Sequence, residues 1–595
     1  MSKIARIAMA ASFAAVLPAQ TAHFDTILRH GVILDGTGLE PYRSDVGIVK
    51  GHISRIGNLS RSRATLDLDV TNLYVAPGFI NIHSHAVRAA LATAENMLTQ
   101  GVTTEIVNPD GGGSIDIATQ LAKLSSAGLA VNLGAYIGFD SIWEKVMESA
   151  NRRPSPGDVV RMRTLLTLNL ERGAWGVSGG LDYEPASLVR AEDVIQVLSA
   201  ASPWRTNFPN HDRLSAENNY SSRAGIEETI RIGESAALVP VITHMKVQGR
   251  EQGSAAYVLS LMRQATARGR YTAADVYPYL AGHTSLTALL VPGWAQEGGR
   301  DDMLRRFHSP AFRPRIAREI EDAMQARFGG PQGVFVLRAR QELTQIMNDL
   351  GVSAGEAVIR TLEQEGSNAI LRFGLESDLI QLLQNPTTSI ACDCGATRDV
   401  PAHPRSYGSF PRVLGHYVRE TKALTWEDAV RKMTALPAAT IGMVDRGLLM
   451  PGMAADITVF DPATIIDHAT YEKPAQVSEG IRHVLVNGQL ALRDGKATGA
   501  RAGRTLLRTA HMPSRPMNVD TARRISVKRI LKVTQDGGAR RAKGSFRFDD
   551  PKSQSAIRAT DLGFLQTTSG WASFTAWALD RPITVIIDKS TVIVE

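Results

Sequence analysis

The chain has 595 residues, enough for a large core and several domains. At 44% hydrophobic and 21% charged, with no low-complexity tract, its composition excludes a disordered or fibrous protein. The net charge of +7 is uneven: thirteen Lys and Arg against two Asp fall between Arg501 and Arg547, leaving the remainder at about −4. That basic run reads as a solvated linker and strand face, with an anionic surface as the alternative. No motif of a nucleic-acid-binding fold accompanies it, so no nucleic-acid partner is expected.

In chain order, Lys3 and Arg6 precede an apolar segment from Ile7 to Leu17, followed by the small residues of "PAQTA". This order fits an export signal over residues 1–22 and predicts a periplasmic or secreted protein; a first helix in a cytoplasmic protein is the alternative. No apolar run reaches the ~18–20 residues of a membrane span. From Phe24, short alternating runs punctuated by Gly and Asp predict a small β domain over 23–75. Over 76–445 the pattern becomes eight short β-branched runs separated by amphipathic stretches. It predicts an α/β fold, a (β/α)8 TIM-like barrel, with a helical insertion at about 286–386. Strand-and-turn text returns over 446–508 and completes the small β-sandwich domain begun at the N-terminus. Residues 516–595 alternate well and form a separate C-terminal β module; Trp571, Phe574 and Trp577 there read as core and cross-strand pairs rather than a ligand platform.

In such a barrel, chemistry-bearing residues sit at the C-terminal ends of strands. The first run, "FINIHSH", ends in His83 and His85, which alternation places on one face. The second reaches Asp110, the fifth His211, the sixth His244 with Lys246, and the eighth Asp393. Four histidines and two carboxylates suit zinc, as one or two divalent ions, and a shared carboxylate suits a pair. Cys392 and Cys394 flank Asp393 but are too few for a disulfide framework; alternation points them away from its face, so packing is their expected role.

Three further segments, "GGLDYEPA", "DVYPYLAG" and "AHPRSYGSFPRVLGHYVRE", join "APGFINIHSH" and "ALPAATIGMVDRGLLMPGMAADITVFDP". Together they resemble the N-acyl-D-amino-acid deacylase (D-aminoacylase) family of the metal-dependent amidohydrolase superfamily over residues 24–508. The resemblance implies that His83, His85 and Asp393 hold one metal, and His211 and His244 the other. It implies that Lys246, Tyr277 and Arg405 hold the carboxylate of a small N-acyl amino acid, with Tyr183 lining the pocket. The bridging position is usually a cysteine, and here it is Asp110. Two other departures lie near the pocket: Gly138-Phe139-Asp140 replaces a glycine-histidine motif, and His283 stands where a serine is usual. His283 is either an added substrate contact or a polar residue without a role in the chemistry.

The expected activity is amide hydrolysis of N-acyl-D-amino acids, with Asp393 as general base and then acid. The D-stereochemistry rests on the resemblance alone. The alternatives are another amidohydrolase reaction, such as opening a cyclic amide (a hydantoin, for example) or cleaving a dipeptide, and a non-catalytic binding protein on a dead barrel.

Overall fold

The computed structural model describes residues 23–508 apart from 149–151, 205, 365–367 and 399–401, and beyond 508 only the backbone of strands. The expected export signal lies outside the described residues. Among them, no helix is long and apolar enough to cross a membrane.

The eight sequence runs form eight parallel barrel strands. The first is Phe79–Ser84, the second Val102–Val107, and the third is in two pieces, Asn132–Ala135 and Ile137–Gly138. Val177–Gly180, Asn207–His211, Val239–Ile242, Ala273–Val276 and Thr388–Ile390 follow. Each pairs with the next in parallel. The third strand changes partner at Tyr136: Tyr136 N donates to Val107 O and Ile137 N to Gly176 O, both at 3.0 Å. The ring closes where Ser84 bridges Cys394 and His85 N donates to Cys394 O at 3.0 Å. On the first strand, Ile80 and Ile82 cluster with Ala438, Ile441 and Met443. Asn81 and His83 alternate onto the other face.

Residues from both flanks build one nine-stranded sheet, in which Ile457–Phe460 pairs with Tyr74–Pro77 and the latter with His23–Ile33. The barrel therefore interrupts that domain in sequence. Beyond it the chain returns to the barrel: Leu133 N donates to Arg504 O, and Arg508 N to Gly173 O.

The insertion is mixed rather than helical. It carries helices such as Arg313–Phe328 and Ala354–Glu363, and its antiparallel strands Val334–Val336, Gln341–Glu342 and Asn368–Arg372 join Ala281–Ser285 in a four-stranded sheet. Runs of two to five residues are hard to separate from helix by periodicity. Phe307, Ile316, Ile320, Val334 and Leu362 are fully buried in a core that the insertion shares with Tyr277 and Tyr279. The C-terminal module forms two four-stranded antiparallel sheets, 517–559 and 561–594; the three aromatic side chains noted there lie outside what the structure describes.

Candidate active site

All six predicted ligands converge at the C-terminal end of the barrel. His83 ends fully buried, whereas His85, one step beyond its strand, has a half-exposed side chain. Asp110 reaches the same point from the loop after the second strand. Two glycines permit that approach: a Cβ on Gly138 would sit 2.0 Å from Gly111 O, and one on Gly180 would sit 2.4 Å from Asp110 O. His244 and Asp393 follow their strands in the left-handed region, at φ 33° and 49°. Such conformations in residues other than glycine persist where surrounding structure enforces them, commonly at functional sites.

The donors divide into two groups that share Asp110: His83, His85, Asp110 and Asp393, then Asp110, His211 and His244. Asp110 Oδ2 lies 3.5 Å from His83 Nε2 and 3.2 Å from His85 Nε2, while its Oδ1 lies 3.9 Å from both His211 Nδ1 and His244 Nε2. Asp393 Oδ1 faces the first pair, 3.5 Å from His83 Nε2 and 3.1 Å from His85 Nε2. Both ring nitrogens of His83 and Oδ1 of Asp110 are buried without a hydrogen-bond partner. Buried polar atoms ordinarily have one, so these residues fit a cation seated among them. A carboxylate with one oxygen toward each group can bridge two ions, though it is a harder ligand than a thiolate.

The two carboxylates are held in the ionised state that a metal ligand requires. Burial raises the pKa of Asp110 and Asp393, but His83 and His85 around the first, and Arg405 chiefly around the second, hold both carboxyls well below their ordinary range. Burial opposes protonation of His83, yet Asp110, Asp275 and Asp393 together hold it above its usual value. His211 runs the other way: burial and then Lys246 push it down to about 4.

The predicted substrate residues line one cavity of about 670 Å³, and so do five of the six metal donors, all but the fully buried His83. Lys246 Nζ donates to His244 Nδ1 at 2.9 Å, and the Tyr183 hydroxyl lies 2.9 Å from His211 Nδ1. Arg405 stacks 5.1 Å over the Tyr277 ring and donates through Nη1 to Asp393 Oδ2 at 2.6 Å. His403 anchors it, accepting from Arg405 N at Nδ1 while its Nε2 donates to Ala281 O. His283 lies on the rim strand, and its carbonyl accepts from Arg405 Nη2 at 3.4 Å. Leu289, Phe328, Leu337, Leu371 and Phe373 make an apolar wall.

Sequence reasoning missed three buried carboxylates. Asp275 lies 3.4 Å from His83 Nδ1 and accepts from His244 N at 2.7 Å. Asp182 lies 3.7 Å from His211 Nε2. Glu105 accepts from Ser84 Oγ at 2.9 Å, between the two first-strand histidines. Asp275 and Glu105 each interrupt a buried run, "TAADVY" and "TTEIVN", and that was the available signal. The reading of Cys392 and Cys394 as packing residues is corrected: they form a disulfide. Both lie past the eighth strand, where the left-handed turn at Asp393 brings their Cα atoms to 5.0 Å.

A divalent-cation site at the mouth of an eight-stranded barrel, beside a β domain built from both chain flanks, defines a metal-dependent amidohydrolase. The amidohydrolase family model matches residues 336–491. D-aminoacylase of Alcaligenes xylosoxydans xylosoxydans is 33% identical over 513 residues, 82% of this chain and 98% of that one. The chain belongs to the N-acyl-D-amino-acid deacylase (D-aminoacylase) family. Among solved structures, a D-aminoacylase studied for its binuclear metal centre matches with a TM-score of 0.69 at 30% identity, over 82% of this chain and all of that one. N-acyl-D-glutamate deacylase from Bordetella bronchiseptica, complexed with zinc and a phosphonate mimic of the tetrahedral intermediate, matches with a TM-score of 0.68 at 27% identity and the same coverage.

Proposed function

We infer that the protein hydrolyses the amide bond of N-acyl-D-amino acids, releasing a carboxylate and the free D-amino acid. The observation that carries this reading is Asp110, whose two oxygens face separate histidine pairs on the floor of a cavity lined by Lys246 and Arg405. His83, His85, Asp110 and Asp393 would hold one ion, and His211 and His244, with Asp110, the other. A bound zinc ion supplies positive charge that brings the pKa of a water toward ~7 and polarises the acyl carbonyl.

Asp393 then has a divided task. Its Oδ1, beside the first pair, accepts the water's proton and later returns it to the leaving amine. Its Oδ2 is held by Arg405, which fixes the carboxylate's orientation and keeps it ionised. Lys246, Tyr277 and the remaining donors of Arg405 receive the substrate's α-carboxylate, since a guanidinium presents five donors and Asp393 takes only part of them. Tyr183 and His283 border the same space. A panel of N-acetyl-D- and L-amino acids, offered to zinc-loaded protein and scored for released amine, tests the reading. Release from D-substrates is expected; turnover confined to L-substrates or cyclic amides would overturn it.

Export is a separate proposal. The basic and apolar order of residues 1–22 supports it, and a disulfide at Cys392–Cys394 suits an oxidising compartment. N-terminal sequencing of protein recovered from outside the cytoplasm is expected to begin near residue 23; an intact Met1 there would overturn it.

A further inference from the structure

Cys392 and Cys394 stand on either side of Asp393, and their disulfide closes a covalent ring around its backbone. The ring is fixed to the first barrel strand at several points. Asn81 Oδ1 accepts from Cys392 N at 3.2 Å, and Asn81 Nδ2 donates to Cys394 O at 3.2 Å while lying 3.2 Å from Cys392 Sγ. His85 N donates to the same Cys394 carbonyl. The backbone before and after Asp393 is therefore pinned to the strand that carries His83 and His85, and the disulfide pins those two points to each other. The disulfide is the covalent restraint on a backbone that holds Asp393 at a left-handed φ of 49°, beside the hydrogen bonds to Asn81 and His85 and the ion pair with Arg405. Cys392 is fully buried, whereas Cys394 borders the cavity.

We propose that the Cys392–Cys394 disulfide is a positioning element for Asp393, and that its reduction by a dithiol loosens metal binding and slows turnover. This rests on the reading of Asp393 as a metal ligand. A thiolate of the dithiol attacks Sγ of Cys394, the cysteine that borders the cavity, and the S–S bond breaks with Cys392 leaving as a thiolate that takes a proton. The reagent's second thiol displaces Cys394, which is protonated in turn. Two electrons and two protons pass to the protein, and the reagent becomes a cyclic disulfide.

The test uses full-length, zinc-loaded protein. Thiols are counted in denaturant before and after dithiol treatment, with the reductant removed under argon; none and then two per chain are expected. Zinc affinity is read by competition with a chromogenic chelator, and kcat and KM are read in parallel. Reduction is expected to weaken zinc binding roughly tenfold or more, the scale seen when the partners that orient metal ligands are lost. It is expected to lower kcat with little change in KM, and reoxidation should restore both. The double variant Cys392→Ser/Cys394→Ser should match the reduced protein and ignore the dithiol. Reversal by reoxidation in the unaltered chain separates positioning from any packing defect in that variant. Two thiols in untreated protein, or equal zinc affinity and kcat in both redox forms, would overturn the proposal. Zinc binding in neither form would overturn the metal-ligand reading and the proposal with it.

Discussion

Arg327 and Asp182 are separated by 145 residues, yet two hydrogen bonds of 2.9 and 2.8 Å join them in a buried pair. One sits on an insertion helix and the other just past the fourth barrel strand, with His211 Nε2 3.7 Å from the carboxylate. Arg327→Leu leaves a charged Asp182 without its partner, a loss of about 3–5 kcal/mol for buried pairs. Denaturant unfolding should show that drop, and Asp182→Asn added to it should recover a large part. Strictly additive single variants would deny the coupling.

Asp110 offers a sharper metal test than the histidines, because it is shared. With Asp110→Ala, metal retained after dialysis, measured by elemental analysis, should fall below the unaltered protein's content. Asp110→Cys should restore retention and favour a softer ion such as cadmium over zinc, since thiolate is the softer ligand. Full metal content in the alanine variant would remove Asp110 from the ligand set.

Arg405 serves both Asp393 and the proposed substrate carboxylate, so its loss should exceed that of an ordinary contact. Arg405→Ala is expected to lower kcat/KM by at least about 100-fold, and Arg405→Lys should recover only part, because a lysine cannot reproduce the planar fork. Steady-state kinetics on one N-acyl-D-amino acid decides it; near-unchanged kcat/KM in the alanine variant would exclude both roles.

Glu105 predicts a dependence of stability on pH. Burial raises its pKa to about 7 from an ordinary 4.5, against the hydrogen bonds of Ser84 and Ala396 that favour the ionised form. The folded state thus binds the proton more tightly than the unfolded chain. Its contribution to stability is fully present below about 4.5 and is lost as pH rises through about 7, an effect of about 3 kcal/mol. Glu105→Gln should unfold later than the unaltered protein at pH 8 and show little difference at pH 4.5. Parallel profiles for the two would refute the assignment.

Much of this molecule is legible in its sequence, for physical reasons. His83 and His85 are readable because a strand's period of two must put them together, and the ends of parallel strands must gather at one rim. The residues behind the ligands are not readable in this way. Asp275, Asp182 and Arg327 act through contacts between distant segments, and no local period announces a partner 145 residues away. The insertion's short strands are hidden for a related reason, since two to five residues carry too little pattern. The cysteine pair is hidden for another reason: alternation holds only while the chain is extended, and the left-handed turn at Asp393 brings Cys392 and Cys394 together.

The apolar wall of the cavity comes largely from the insertion, and its metal-bearing floor from the barrel. Leu289, Phe328 and Leu371 pack with the insertion's core, while the ligands stand at the ends of barrel strands. Divergence in the first can therefore resize the chamber while leaving the hydrolytic apparatus untouched. A descendant of this chain can acquire a new diet by repacking one appendage, provided that Arg327 keeps its grip on Asp182.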